Sequence, residues 1–185
     1  MGKKQKNSKK KSTNRKIQKK AHNSAGTIAQ LGMFIAVAMV FSYIESFIRI
    51  DIAVPGIKLG LANLAVLFIL DRYSAKEAAL VSVVRILVIG FMFGNLFSIL
   101  YSMAGAALSL TVMNLLKKHS GFSLIGISVA GGVTHNIGQL IVAMIVVSNT
   151  SLMVYAPALL VAGVLAGILI GVLTKEVVGR LPLNL

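Results

Sequence analysis

LMVYAPALLVAGVLAGILIGVL (152–173) decides the fold. It contains no charged residue. As a helix rising about 1.5 Å per residue it is long enough for the roughly 30 Å hydrocarbon core of a bilayer. Gly163, Gly167 and Gly171 recur every fourth position, which lines them along one helix face where another backbone can approach closely. Five further apolar stretches precede it: about 27–48, a short one from Pro55 or Ile57 to Leu70, and then 75–91, 96–116 and 123–147. The chain has 185 residues, 56% of them hydrophobic. Its mean hydropathy is +0.84. A soluble domain of this size has nowhere to bury that much apolar surface, whereas lipid solvates it. The expected fold class is therefore all-α integral membrane, a bundle of six transmembrane helices over residues 26–180.

The charges are segregated. Ten of the 19 Lys and Arg lie within the first twenty residues. Residues 1–25 are a Lys/Asn/Ser/Gln stretch with too little apolar surface to offset ordering entropy, so a disordered basic tail is expected, in contact with anionic lipid headgroups. It has no interleaved aromatics or module of a nucleic-acid binder, and no nucleic-acid partner is expected. The apolar segment after it is too long for a signal-peptide core, so an uncleaved anchor is expected. Lys and Arg collect in cytoplasmic loops. With the tail inside, Arg72 and Lys76, then Lys117 and Lys118, then Lys175 and Arg180 all fall on the cytoplasmic side of a six-helix N-in/C-in arrangement. The connections around Gly94 and Asn149 carry no charge and fall outside. Only the first outer loop, with Arg49, Asp51 and Lys58, departs from the pattern.

Ionisable and amide groups at membrane depth are costly and mark candidate function. Glu45 lies near the outer end of the first helix, Lys58 begins the second at the outer face and Asn63 lies within it. Arg85 is ten residues into the third helix, about 15 Å along its axis. Asn95 lies in the connection after it, and His135 and Gln139 share one face of the fifth helix. Together they read as a net-basic outer cavity, and are the candidate substrate-binding residues. Each has a plainer reading: Arg85 as an ion pair with Glu45 joining two helices, His135 as a neutral histidine between helices, Asn136 and Gln139 as interhelical glue. Tyr43, Tyr101, Phe93 and Phe97 are candidates for stacking on a ring or for packing. The stripes Gly163/Gly167/Gly171 on the sixth helix, and Gly32/Ala36 and Ala38/Ser42 on the first, serve packing within the chain. The alternative, contact with another subunit, falls most naturally on the first helix.

Several chemistries are excluded. The chain has no cysteine, which removes disulfides and thiolate chemistry. His22, His119 and His135 lack metal-ligand spacing, and no metal or cofactor is expected. No G-x-x-x-x-G-K-[ST] phosphate loop is present. The two aspartates, Asp51 and Asp71, fall on opposite sides of the membrane in this topology, which leaves no Asp-rich pair for magnesium diphosphate. The reading argues against an autonomous enzyme.

FSYIESFI (41–48), VPGIKLGLANLAVLF (54–68), GNLFSILYSMAGAALSLTVMNLLKK (94–118) and GFSLIGISVAGGVTHNIGQLIVA (121–143), in that order, are similar to the bacterial Gx transporter family, also labelled heptaprenyl diphosphate synthase component I. The resemblance covers about residues 30–178. That family in turn resembles the substrate-binding S components of energy-coupling-factor (ECF) transporters. Those are six-helix proteins with a ligand cavity near the outer face that dock, through small residues on the first helix, onto a transmembrane subunit with two ATPases. The resemblance implies a multi-pass protein of a bacterial plasma membrane that captures a small molecule, with an ECF transmembrane subunit and ATPases as partners in trans; it supplies no ligand, and the excess of basic charge from Arg49, Lys58 and Arg85 points to an anionic one. It places the site on Glu45, Lys58, Asn63, Arg85, Asn95, His135 and Gln139. The family's other label implies an accessory subunit in heptaprenyl diphosphate or quinone biosynthesis. A third alternative is an assembly role in membrane electron transfer. The topology is tested by reporter fusions: after Leu116 and at the C-terminus they should read cytoplasmic, and near Gly94 and Asn149 external. A cytoplasmic signal at Asn149 would remove the six-span arrangement.

Overall fold

The structure, a computed structural model, describes residues 26–45, 60–119 and 121–180. They form α1 (Gly26–Glu45), α2 (Leu61–Arg72), α3 (Ala75–Phe93), α4 (Leu96–Lys118), α5 (Leu124–Val147) and α6 (Ala156–Arg180), with a 3-10 segment, Thr150–Tyr155, leading into α6. There is no strand among the described residues. The basic tail 1–25 and the loop with Arg49, Asp51, Pro55 and Lys58 lie outside the described residues. The chain divides into two compact units, Met1–Phe34 and Ile35–Leu185, at a boundary inside α1. The described part of the first unit is helical throughout. The second holds α2 to α6.

Three of the helices, α3, α4 and α5, start where the sequence supplies a side-chain cap. Ser74 precedes α3, its hydroxyl oxygen accepting the Lys76 N–H at 3.2 Å while its O–H donates to Glu77. This is an S-x-x-E box, which satisfies first-turn groups that the helix itself cannot. Asn95 accepts the Ser98 N–H at 2.8 Å ahead of α4, and Ser123 accepts the Gly126 N–H at 3.1 Å ahead of α5. The last helix continues to Arg180, beyond the apolar stretch that ends at Leu173, and an Arg180–Glu176 pair one turn apart at 2.6 Å supports its end.

All six helices expected from the sequence are present, but they are not alike. Among the described residues four segments are long and apolar enough to cross a membrane: Gly26–Glu45, Leu96–Lys118, Leu124–Val147 and Thr150–Arg180. They make the chain a multi-pass membrane protein. The third helix, with 19 residues, is long enough but contains Lys76, Glu77 and Arg85. The second has only 12 residues, about 18 Å of helix. The described helix begins at Leu61, whereas the apolar stretch was read from Pro55 or Ile57.

What α2 lacks in length it has in burial. Ala62 and every residue from Ala65 to Leu70 are buried, and Leu67, Phe68, Ile69 and Leu70 are nearly inaccessible. A helix apolar on every side and covered on every side is an interior element. Packed against α3 and α6, it meets protein rather than lipid. A short element is tolerated at membrane depth under that condition. Two helices hold its far end, α4 and α6: the Lys117 ammonium of α4 donates to the carbonyls of Leu70 and Asp71 (2.8 Å to the latter). Arg72 donates to the Val178 carbonyl of α6 at 2.6 Å.

Lipid removes the hydrophobic drive between helices, so close approach of small residues takes its place. The glycine stripe of α6 lies on α5. A Cβ on Gly163 would fall 2.9 Å from the Gly132 carbonyl oxygen, one on Gly167 2.5 Å from Val129 Cα, and one on Gly171 2.8 Å from Ile125 Cα. The expectation of packing within the chain is met for this stripe. On α1 the two stripes differ: Ala38 and Ser42 are buried, whereas Ala36 is exposed and nothing lies within 4 Å of where a Gly32 Cβ would be. Between α4 and α5, Gly105 approaches the His135 carbonyl and Gly138 approaches Ala104.

Because the atoms opposing Gly167 are backbone, Gly167→Val should lower stability by about 1–3 kcal/mol, as overpacking does. Gly179, with open space around its Cβ position, provides the contrast. Gly179→Ala should be neutral or gain up to about 1 kcal/mol from helix propensity. Thermal unfolding of both variants in detergent checks the pair. Equal behaviour would show that the α5–α6 contact does not govern stability.

Candidate functional site

The buried face of α1 presents Ala38, Ser42 and Glu45, at the three- and four-residue spacing of one helix face. Glu45 is only 8% exposed. Its carboxylate oxygen Oε1 accepts the backbone N–H of Gly60, the residue just before α2. Gly60 adopts φ +75°, the left-handed region, where any Cβ is strained. That conformation points its N–H at Glu45 while its carbonyl accepts the Asn63 N–H at 2.7 Å and starts α2.

From α3 the guanidinium of Arg85 completes the arrangement. Its Nη1 lies 3.3 Å from the Ser42 hydroxyl oxygen, and its Nη2 lies 3.5 Å from the Asn63 side-chain oxygen. The result is a closed ring: Ser42 and Glu45 on α1, Gly60 and Asn63 at the start of α2, Arg85 on α3. The negative charge of Glu45 also acts on Arg85. The Nε of Arg85 is buried with no hydrogen-bond partner. Two other buried polar atoms among the described residues share that condition, Arg72 Nε and Thr174 Oγ1. Arg72 is already engaged with Val178 and lies 3.8 Å from Asp71, and Thr174 carries no charge. The two terminal nitrogens of this guanidinium are directed to neutral oxygens, which leaves its buried Nε–H as a donor of the kind that pairs with carboxylate or phosphate oxygens.

The candidate residues separate. Glu45, Asn63 and Arg85 come together in the ring. His135 and Gln139 sit on α5 against Gly105 of α4, where a Gly105 Cβ would meet the His135 carbonyl at 2.8 Å and the Gln139 Cγ at 2.9 Å. Both are half-buried. Asn95 is exposed, and its side-chain oxygen caps α4. Asn136, read as interhelical glue, donates to the Leu159 carbonyl of α6 at 2.7 Å. Lys58 lies outside the described residues. Tyr43 and Phe93 stack on each other, ring centres 5.3 Å apart and tilted by 51°, and so bridge α1 and α3.

Ser42 and Gly60 belong to the ring but were not among the candidates. Ser42 read as one of a pair of small packing residues, and its three-residue spacing to Glu45 was the available signal. Nothing in the sequence gave the left-handed turn at Gly60.

The family model for heptaprenyl diphosphate synthase component I matches residues 34–177, and the chain belongs to that family. The match begins within α1 and ends within α6, and it includes every residue of the ring. No curated protein and no solved structure matches the chain.

The left-handed turn is open to a direct test. Gly60→Ala should lower stability by about 1–2 kcal/mol from the conformational strain alone. It should also loosen the Glu45 contact, seen as faster hydrogen exchange in the first turn of α2. Unchanged stability and exchange would show that Glu45 and Gly60 do not hold the ring together.

Proposed function

We propose that this member of the heptaprenyl diphosphate synthase component I family is the binding subunit of an uptake system, capturing a small anionic molecule at Arg85 in the manner of ECF transporter S components. The observation that carries the reading is the buried, unpartnered Nε of Arg85 inside a ring of otherwise engaged groups. A purely structural arginine at membrane depth is expected to have its donors satisfied, because each unmet donor in a low-dielectric setting costs free energy. Under this reading α2 and α3 complete six spans, the amino and carboxyl termini face the cytoplasm of a bacterial cell, and the ring opens toward the outer face. The chain binds and does not transform its ligand. Transport energy comes from an ECF transmembrane subunit and ATPases in trans, and the basic tail rests on anionic headgroups.

The family match favours a second reading, an accessory membrane subunit for heptaprenyl diphosphate formation. The two differ in the protein that accompanies the chain. Isolation from its native membrane with a pair of ATPases supports uptake, and isolation with a soluble prenyl synthase supports the second.

Substitution of Arg85 separates ligand capture from a structural role. Arg85→Gln should remain folded and monodisperse yet lose the small molecule that native mass spectrometry finds with the wild type. Arg85→Lys should not restore it, because a point charge does not reproduce the guanidinium edge. If Arg85 only neutralises Glu45, each single change to Gln should instead cost about 3–5 kcal/mol and the double change should recover much of it. An Arg85→Gln protein that keeps its ligand at wild-type affinity would remove the site.

A further inference from the structure

Residues 86–116 contain no charge, and the α3–α4 turn lies within that stretch. Six large apolar side chains crowd around the turn and are all exposed: Phe91, Met92, Phe93, Leu96, Phe97 and Leu100, with Phe91 at 76%. The other described connection at this end of α4 and α5 is the polar run SNTS (148–151), also exposed. The apolar turn is closed and firm. A Cβ on Gly90 would overlap the Ile99 side chain, so α3 and α4 touch just below the connection. The Gly94 N–H donates to the Gly90 carbonyl at 3.1 Å, and the Asn95 carbonyl accepts the Ile99 N–H at 3.1 Å. The Asn95 amide is turned back onto the Ser98 N–H. Phe93 stacks on Tyr43 of α1. A turn that meets these amides from within itself is suited to surroundings that offer no hydrogen bonds.

We infer that the α3–α4 turn is a lipid-immersed tip whose partner is the acyl chains of the outer leaflet, whereas the connection at 148–151 emerges into water. Helix length sets the depth. Lys117 and Lys118 mark the cytoplasmic boundary of α4. Residues 96–116 of that helix rise about 31 Å, which matches a hydrocarbon core of roughly 30 Å. Residues 78–93 of α3, beyond its Lys76–Glu77 pair, rise only about 24 Å and end short of the far boundary. The turn that joins the two is therefore held on the hydrocarbon side of that boundary. The chemistry of the tip agrees. A protein partner is met with a polar rim and hydrogen bonds around an apolar centre, and the six exposed side chains supply neither. Fluid acyl chains require neither, and solvate separate phenylalanine, methionine and leucine side chains equally well.

The chain has no tryptophan, so a single introduced one reports its own surroundings. Full-length Phe97→Trp and Thr150→Trp, both at exposed positions, are reconstituted in phosphatidylcholine vesicles. The quenchers are bromine on the acyl chains and, separately, iodide on both faces of the membrane. Phe97→Trp should lose most of its emission to the brominated lipid, and should be quenched by iodide several-fold less than Thr150→Trp. Equal iodide quenching of the two overturns the inference. Protection of Phe97→Trp from both quenchers also overturns it, because a protein, such as a second copy of the chain, then covers the tip. Tryptophan itself favours the membrane interface, so a second probe is needed. The chain has no cysteine, and Phe91→Cys carries a single nitroxide label. Its collisions with dissolved oxygen should exceed those with a water-soluble nickel complex, and the reverse order overturns the lipid-immersed tip. This second variant decides the matter if Phe97→Trp does not fold.

Discussion

Inside hydrocarbon a backbone or side-chain polar group can bond only to protein, and the arrangement of this chain follows from how that requirement is met around α2. A helix of 12 residues exposes its terminal amides and carbonyls at depths where longer helices have none. Here the carbonyls at its far end are met by Lys117 from α4, and Arg72 reaches out to Val178 of α6. Its beginning is met by Glu45 from α1 through Gly60, and by Arg85 from α3 through Asn63. The same short helix therefore explains why the interior holds charged residues at all. The ring around Arg85 is one of its two attachments.

The rest of the molecule is built on a different principle. The α5–α6 contact is backbone against backbone, with Gly132, Gly163, Gly167 and Gly171 leaving no room for a methyl group. Large apolar side chains are turned outward instead: Val161, Leu165 and Val172 on α6 and Ile145 on α5 are exposed, as suits surfaces solvated by lipid tails. Rigid packing is thus concentrated in the α5–α6 pair and polar attachment around α2. The region around Arg85 is held by side-chain hydrogen bonds, two of them at 3.3 and 3.5 Å, rather than by interlocked backbones.

Much of this was legible in the sequence. Apolar run length placed the helices to within a few residues, because a membrane demands nearly uninterrupted apolarity and charges end the run. The four-residue glycine period on α6 gave the contacting face, although only the structure shows that α5 is the partner. Glu45, Asn63 and Arg85 stood out because polar groups at depth are rare. The same criterion also selected Asn95, whose side chain caps α4, and His135 and Gln139, which lie on α5 against Gly105. Rarity of a residue type reports that a group has work to do and does not say with which neighbour. Ser42 and Gly60 escaped notice for the opposite reason: both are small residues common in membrane helices and turns, and their role depends on a three-dimensional closure that local pattern does not encode.

The Arg72–Val178 bond joins residues 106 positions apart, and it ties the second helix to the last. During synthesis α2 emerges early, is too short to span on its own, and lacks one of its two covering helices until α6 follows. It must therefore wait at the edge of the insertion machinery, or beside α3, through the production of three further helices. A ribosome that stops before α6 releases a chain whose most hydrophobic short segment is uncovered on its α6 side and whose Arg72 has lost its acceptor.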